Sequence, residues 1–244
     1  MIPRCAWHLA LLLLLACPGL CVADDAAPAP EPLDSMHQRV LPCMACHGDQ
    51  GRATNDGYYP RIAGKPAGYL YNQLLNFRDG RRRYPMMTYL VERQNDAYLH
   101  ELARYFADRH APYPPPQQPE ADAAVLARGA TLVRDGDASL KVPACRSCHG
   151  ERLTGVLPAT PGLLGLSHDY LLGQLGAWRI GGRHAQAPDC MHEIVLRLTP
   201  TDLYAVTDWL SSQAVPADPL PATTLPTPMP MVCGSVPTLA EAAE

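Results

Sequence analysis

Two segments of this 244-residue chain carry the same chemistry at the same spacing: Cys43-Met44-Ala45-Cys46-His47 and Cys145-Arg146-Ser147-Cys148-His149. In Cys-x-x-Cys-His, two thiols stand close enough to add across both vinyl groups of one porphyrin, and the adjacent imidazole is placed to reach its iron. Two such motifs in one chain constrain the fold strongly, because each puts a large apolar disc where a core otherwise has to be built from side chains. The composition needs that bulk. With only two Phe, 7% aromatic residues and 26 Pro, it is thin material for two side-chain cores of ~90 residues each. A four-cysteine zinc site would have to join pairs lying far apart in sequence, each followed by a His it does not need. A thioredoxin-like redox pair needs a βαβ context that the pattern lacks. The motifs point to two haem c groups, with their iron, attached covalently through Cys43, Cys46, Cys145 and Cys148, and to His47 and His149 as iron ligands.

Each iron has a second face, and comparing the chain with itself suggests what meets it. After each Cys-His-Gly comes a Pro/Gly loop and a helical stretch, PRIAGKPAGYLYNQLLNFRDGRR from Pro60 and PGLLGLSHDYLLGQLGAWRIGGR from Pro161. Pro60/Pro161, Gly64/Gly165, Tyr69/Tyr170, Gln73/Gln174, Arg78/Arg179 and Gly80/Gly181 recur in register, the mark of a duplicated domain. Each half closes with an amphipathic helix. Leu99, Leu102, Ala103 and Phe106 share a face in the first, and Leu203, Val206 and Leu210 in the second, with Asp96 and Thr201 as N-cap candidates. Aligning these helices on Tyr105 and Trp209 sets Met87 opposite Met191, and Met86 opposite Cys190. The repeat thus selects Met87 and Met191 as the second iron ligands. His100, His110, His168, His184 and His192 have no His counterpart in the other half. A thioether is soft and neutral and favours ferrous iron. An iron closed by His and Met passes an electron but has no free position for a substrate, so electron transfer rather than catalysis is expected.

The N-terminus reads as an export signal over residues 1–23: Arg4, an apolar run from Leu9 to Ala16, a break at Pro18-Gly19, and a small-residue cleavage site ending at Ala23. The apolar run is too short to span a bilayer. The mature chain is expected in the periplasm, free or tethered by a lipid on Cys17, since Leu14-Leu15-Ala16-Cys17 resembles a lipoprotein cleavage site. Cys190 and Cys233 are then the remaining thiols, and in an oxidising compartment they are expected to pair, fastening the tail beside the Met191 loop. A net charge of −4 argues against general nucleic-acid binding. On that mildly acidic background Arg78, Arg81, Arg82 and Arg83 crowd the approach to Met87, as a docking patch for an acidic partner or as counter-charge for haem propionates. The expected division is a first domain over 31–111, a semi-rigid Pro-rich linker over 112–121, a second domain over 122–214 and a Pro-rich tail over 215–244.

CMACHGDQG, PRIAG, YLYNQLLNFRDGRR and Met87 ahead of a helix with Tyr105-Phe106 resemble the first half of a diheme cytochrome c of the cytochrome c4 type. CRSCHG, PGLLG, YLLGQLGAWRIGGR and Met191 resemble its second half, and the likeness runs from about Leu33 to Gln213. The resemblance implies an all-α fold of two tandem class I cytochrome c domains, each enclosing one covalently bound haem, joined so that the haems exchange electrons. It implies that the Pro60 and Pro161 carbonyls accept hydrogen bonds from the ligand imidazoles, fixing the rings and raising their basicity. It also implies a periplasmic carrier in a respiratory chain, taking electrons from a quinol-oxidising complex toward a terminal haem-copper oxidase. The alternative is the electron-accepting subunit of a periplasmic flavoprotein or quinoprotein dehydrogenase. A diheme enzyme, such as a peroxidase or a thiosulfate-oxidising enzyme, needs an open iron face, which the matched Met87 and Met191 oppose. The chain departs from the pattern in lacking Asp-x-Gly after its second Cys-His-Gly, in a longer Met191 loop, and in the tail after Gln213.

Overall fold

The computed structural model describes residues 34–54 and 56–236; the export segment, with Cys17, lies outside them. The first lobe runs α1 (Met36–His47), a 3-10 turn at Asp49–Gly51, α2 (Ala67–Arg78), α3 (Pro85–Val91) and α4 (Asp96–Ala107). The second runs α5 (Ala123–Arg134), a single turn α6 (Arg146–His149), a short antiparallel pair β1 (Gly155–Val156) and β2 (Thr160–Pro161), then α7 (His168–Arg179), α8 (Cys190–Arg197) and α9 (Pro200–Ser211). The chain has the mostly helical fold expected. No helix among the described residues is long and apolar enough to cross a membrane.

Helices begin where a side-chain oxygen meets their first unpaired amides. Ser35, Asp122 and Ser167 cap α1, α5 and α7 in this way. The two closing helices start earlier than the sequence suggested. Asn95, not Asp96, caps α4, accepting from Tyr98 N at 2.9 Å. Thr199, not Thr201, caps α9 in a reciprocal capping box with Asp202, and Pro200 takes the first helical position, where its missing N–H costs nothing.

Each lobe has its own apolar cluster. Val40, Leu70, Phe77, Leu99, Leu102 and Phe106 build the first, where α2 packs on α4. Leu132, Leu171, Trp178, Leu203, Val206 and Leu210 belong to the second, where α5 and α7 pack on α9. The inward faces of α4 and α9 are the ones their periodicity selects. At the crossing of α5 and α9, a Cβ on Gly129 would lie 2.1 Å from the Ala205 carbonyl oxygen. Gly129→Ala is therefore expected to destabilise the second lobe by about 3 kcal/mol, at the upper end of ordinary overpacking; denaturant titration followed by far-UV circular dichroism checks it.

The lobes join through backbone. Arg82 and Arg183 form an antiparallel bridge, flanked by Arg83 N to Gly182 O at 2.9 Å and His184 N to Arg81 O at 2.6 Å. The Pro-rich connection is extended and pinned to the surface. Gln117 N donates to Ser211 O, Ala121 N donates to the Asp208 carboxylate at 2.9 Å, and the Arg61 guanidinium stacks 3.7 Å from the Tyr113 ring centroid. Beyond α9 the chain returns to α8 and sets Cys233 against Cys190 with Cα atoms 5.3 Å apart, within disulfide reach.

Candidate functional site

α1 ends on the first motif, with His47 as its last residue. In the second lobe α6 carries Cys148 and His149, and Cys145 sits at its N-cap position. After each His a glycine turns left-handed, Gly48 at φ +73° and Gly150 at φ +85°. At Gly48 a Cβ would also meet the Ala53 carbonyl oxygen at 2.4 Å, so the glycine following the motif is a backbone requirement. The turn brings the chain back past the imidazole. His47 Nδ1 lies 2.9 Å from the Pro60 oxygen, and His149 Nδ1 lies 2.8 Å from the Pro161 oxygen. A carbonyl oxygen only accepts, so Nδ1 carries the proton and Nε2 keeps its lone pair. Both rings are 8% exposed. Burial pushes both imidazole pKa values down, leaving neutral rings whose free nitrogen is a ready metal donor.

Cys145, Cys148, His149 and Met191 of the second lobe line one solvent-open cavity, with Leu171 and Trp178 among the apolar side chains between them and Lys65, Tyr69 and Gln73 of the first lobe also lining it. Two thiols, an imidazole nitrogen and a thioether around an apolar space fit haem c in kind. In the first lobe Cys43 and Met87 border one apolar cluster. Met87 and Met191 each sit in the first turn of a short helix preceding the closing helix. Their neighbours are directed elsewhere: Met86 is 55% exposed, Cys190 faces Cys233, and His192 Nδ1 donates to Trp178 O at 3.1 Å. Burial pushes the Cys43 thiol up to about 11 and the Cys145 thiol up to about 12. No group of three or more His, Cys, Asp or Glu able to hold a metal ion occurs among the described residues.

The arginine loop does not form the expected docking patch. Arg78 pairs with Asp79 at 3.0 Å and Asp96 at 2.6 Å, and Arg81 pairs with Asp79 at 2.9 Å, so acids on the same lobe neutralise both. Arg82, 9% exposed, is enclosed between the lobes opposite Arg183, 4% exposed. Arg82 donates to Gln73, Gln174 and Tyr170, and Arg183 to Gln174, Gln73 and Tyr69. The cluster is two-fold symmetric and every one of these partners is neutral. Lys65 is half-buried, its ammonium donating to Gly162 O at 3.1 Å in the wall of the second cavity; burial pushes its pKa down to about 8. Positive charge enclosed with neutral partners is costly.

Arg183, Lys65, Met229 and Met231 stand outside the set read from sequence, the two Met residues because the tail's path to the second cavity has no counterpart in the first half. The Arg82/Arg183 pair does carry a signal, since it recurs at the offset of Gln73/Gln174.

No family model matches the chain, but individual proteins do. It is 36% identical over 171 residues to the thiosulfate dehydrogenase electron acceptor of Thiomonas intermedia, covering 70% of this chain and 78% of that one. It is 30% identical over 203 residues to cytochrome c4 of Pseudomonas aeruginosa, covering 82% and 94%. Reduced recombinant cytochrome c4 from Pseudomonas stutzeri is similar in structure, with a TM-score of 0.62 and 27% identity over 72% of this chain and 95% of that one. Thiosulfate dehydrogenase (TsdBA) from Marichromatium purpuratum is similar with a TM-score of 0.64 and 28% identity over 70% of this chain. The chain spans 36% of that longer protein's length.

Proposed function

The chain belongs to the diheme cytochromes c of the cytochrome c4 type, and on that premise we propose that it is the electron acceptor of a periplasmic, thiosulfate-oxidising dehydrogenase. It is an electron-transfer protein rather than an enzyme. The observation that carries the proposal is the 36% identity, over 78% of its length, to a protein named for that role.

In this reading Cys43 with Cys46, and Cys145 with Cys148, hold two haem c groups by thioether bonds, and each haem, when bound, supplies a one-electron iron couple. His47 and His149 offer Nε2 to the iron, held neutral and in one orientation by the Pro60 and Pro161 carbonyls. Met87 and Met191 would offer the irons uncharged, soft thioether sulfurs that favour the reduced state. Arg82, Arg183 and Lys65 supply counter-charge to the haem carboxylates between the lobes. Arg183→Gln is then expected to destabilise the holoprotein by about 3–5 kcal/mol, the cost of stranding a buried partner charge, and a loss below about 1 kcal/mol in denaturant titration would show that no buried anion depends on it.

The remaining parts of the reading concern export and covalent closure. Residues 1–23 direct the chain to the periplasm, where it is free or lipid-anchored at Cys17, and the two domains span 31–111 and 122–214. A Cys190–Cys233 disulfide closes a separation of 43 residues, which contributes about 3–4 kcal/mol in the chain-entropy account.

A second reading, delivery of electrons from a quinol-oxidising complex toward a haem-copper oxidase, rests on the likeness to cytochrome c4. Mixing the oxidised holoprotein with thiosulfate and the thiosulfate dehydrogenase of its own organism separates the two. Both haems are expected to reduce at the dehydrogenase's turnover rate. Reduction no faster than with thiosulfate alone overturns the proposal, and reduction by a quinol-oxidising complex instead supports the second reading.

A further inference from the structure

The tail after Gln213 is anchored at successive points along the second lobe. Asp218 pairs with Arg152 at 2.9 Å, and Thr154 Oγ1 donates to Leu220 O at 3.0 Å. Ala222 then runs beside β1, accepting from Leu157 N at 2.8 Å and donating to Gly155 O at 2.9 Å. At the far end Cys233 meets Cys190, the residue before Met191. Gly234 N donates to Pro188 O at 3.0 Å, in a place where a Cβ would meet the Ala187 carbonyl oxygen at 2.1 Å. Ser235 touches both lobes: its carbonyl accepts from Asn72 Nδ2 of α2 at 2.9 Å, and its hydroxyl accepts from Gln186 N at 3.2 Å.

Between these anchors the chain alternates as a strand does. Met229, Met231 and Cys233 turn toward the lobe and reach the cavity wall that Met191 shares, while Pro230 and Val232 face outward, Val232 at 75% exposure. The equivalent position in the first half is taken by the Pro-rich connection, which is laid instead along α9 through Ser211 and Asp208.

We propose that residues 229–236 are the outer wall of the second haem site, a clamp in which Met229, Met231 and Val236 act as apolar bulk that keeps water and small ligands from the iron bound by Met191. The inference rests on the proposed ligation by Met191. The clamp gives the second site a cover tied to both lobes, so the two sites differ in solvent access although their ligand sets match. Met231 acts here as a positioning residue through the space it fills, and its sulfur has no bonding role.

The test uses three variants of the ferric holoprotein: Cys190→Ser with Cys233→Ser, which frees the anchor; Met231→Ser, which removes bulk; and Met231→Leu, which keeps bulk without sulfur. Imidazole binding at each iron is followed through loss of the sulfur-to-iron absorption band. The first two variants are expected to bind imidazole at the second site about tenfold faster or more, the scale of losing the packing of one buried apolar side chain, with the first site unchanged. Met231→Leu is expected to match the parent protein. Unchanged rates in the first two variants, with two sulfur-ligated haems in the parent, overturn the clamp and leave Met191 ligation standing. A parent protein lacking the second sulfur band overturns the ligation itself. A Met231→Leu effect as large as that of Met231→Ser means that sulfur rather than bulk matters, and overturns the clamp as well.

Discussion

Met87→Ala and Met191→Ala are each expected to abolish the sulfur-to-iron band of one haem and to lower that haem's midpoint potential by at least about 120 mV. The magnitude corresponds to a hundredfold shift toward ferric iron, at 59 mV per tenfold for one electron, when a soft neutral donor gives way to water or to nothing. Three neighbouring donors are directed elsewhere. Beside Met87, Met86 points to solvent. Beside Met191, Cys190 faces Cys233 and His192 is tied to the Trp178 carbonyl. Spectroelectrochemistry of each variant against the parent reads both effects. Because the two Met residues lie on different lobes, each substitution is expected to move one potential strongly and the other little.

A second large effect is expected on removing one attachment motif. Protein carrying Cys145→Ser with Cys148→Ser should hold one covalent haem, visible in the intact mass of the denatured chain, and should lose the helicity of its second lobe. The cluster of Leu132, Leu171, Trp178 and Val206 surrounds a space that side chains do not fill. Leaving it empty costs more than about 5 kcal/mol, judged from single-residue cavities that already reach that figure, and a domain has little more than that to lose. The first lobe keeps its own cluster, centred on Val40, Leu99 and Phe106, and is expected to retain its haem. Far-UV circular dichroism that matches the parent protein would show that the second core stands without its haem.

What was legible in the sequence had a local or a repeated cause. The motifs fix their own chemistry within five residues, and the duplication supplies a second copy in which chance matches such as Met86 or His192 find no counterpart. The inward faces of α4 and α9 follow from periodicity. Their caps are not legible in the sequence, because Asn95 and Asp96, or Thr199 and Thr201, are similar as candidate residues. Only the reciprocal bond between Thr199 and Asp202 or the reach of Asn95 to Tyr98 N decides between them. The four arginines looked like one patch because they are neighbours in sequence. Their separation into the paired Arg78 and Arg81, the buried Arg82 and the exposed Arg83 depends on Asp96, eighteen residues beyond Arg78, and on Arg183 of the other lobe. The course of the tail was least legible, since it depends on one cysteine pairing and a few bonds to backbone carbonyls, and no periodic pattern records such contacts.

The proposed function rests on two irons, each ligated by an imidazole and a thioether. A redox titration of the holoprotein that follows the sulfur-to-iron band across the near-infrared edge of the ferric spectrum tests it most directly. The band is expected to vanish in two one-electron steps of equal amplitude, one for Met87 and one for Met191. An amplitude matching only one haem, or a ferric protein in which one iron shows no such band, would contradict it.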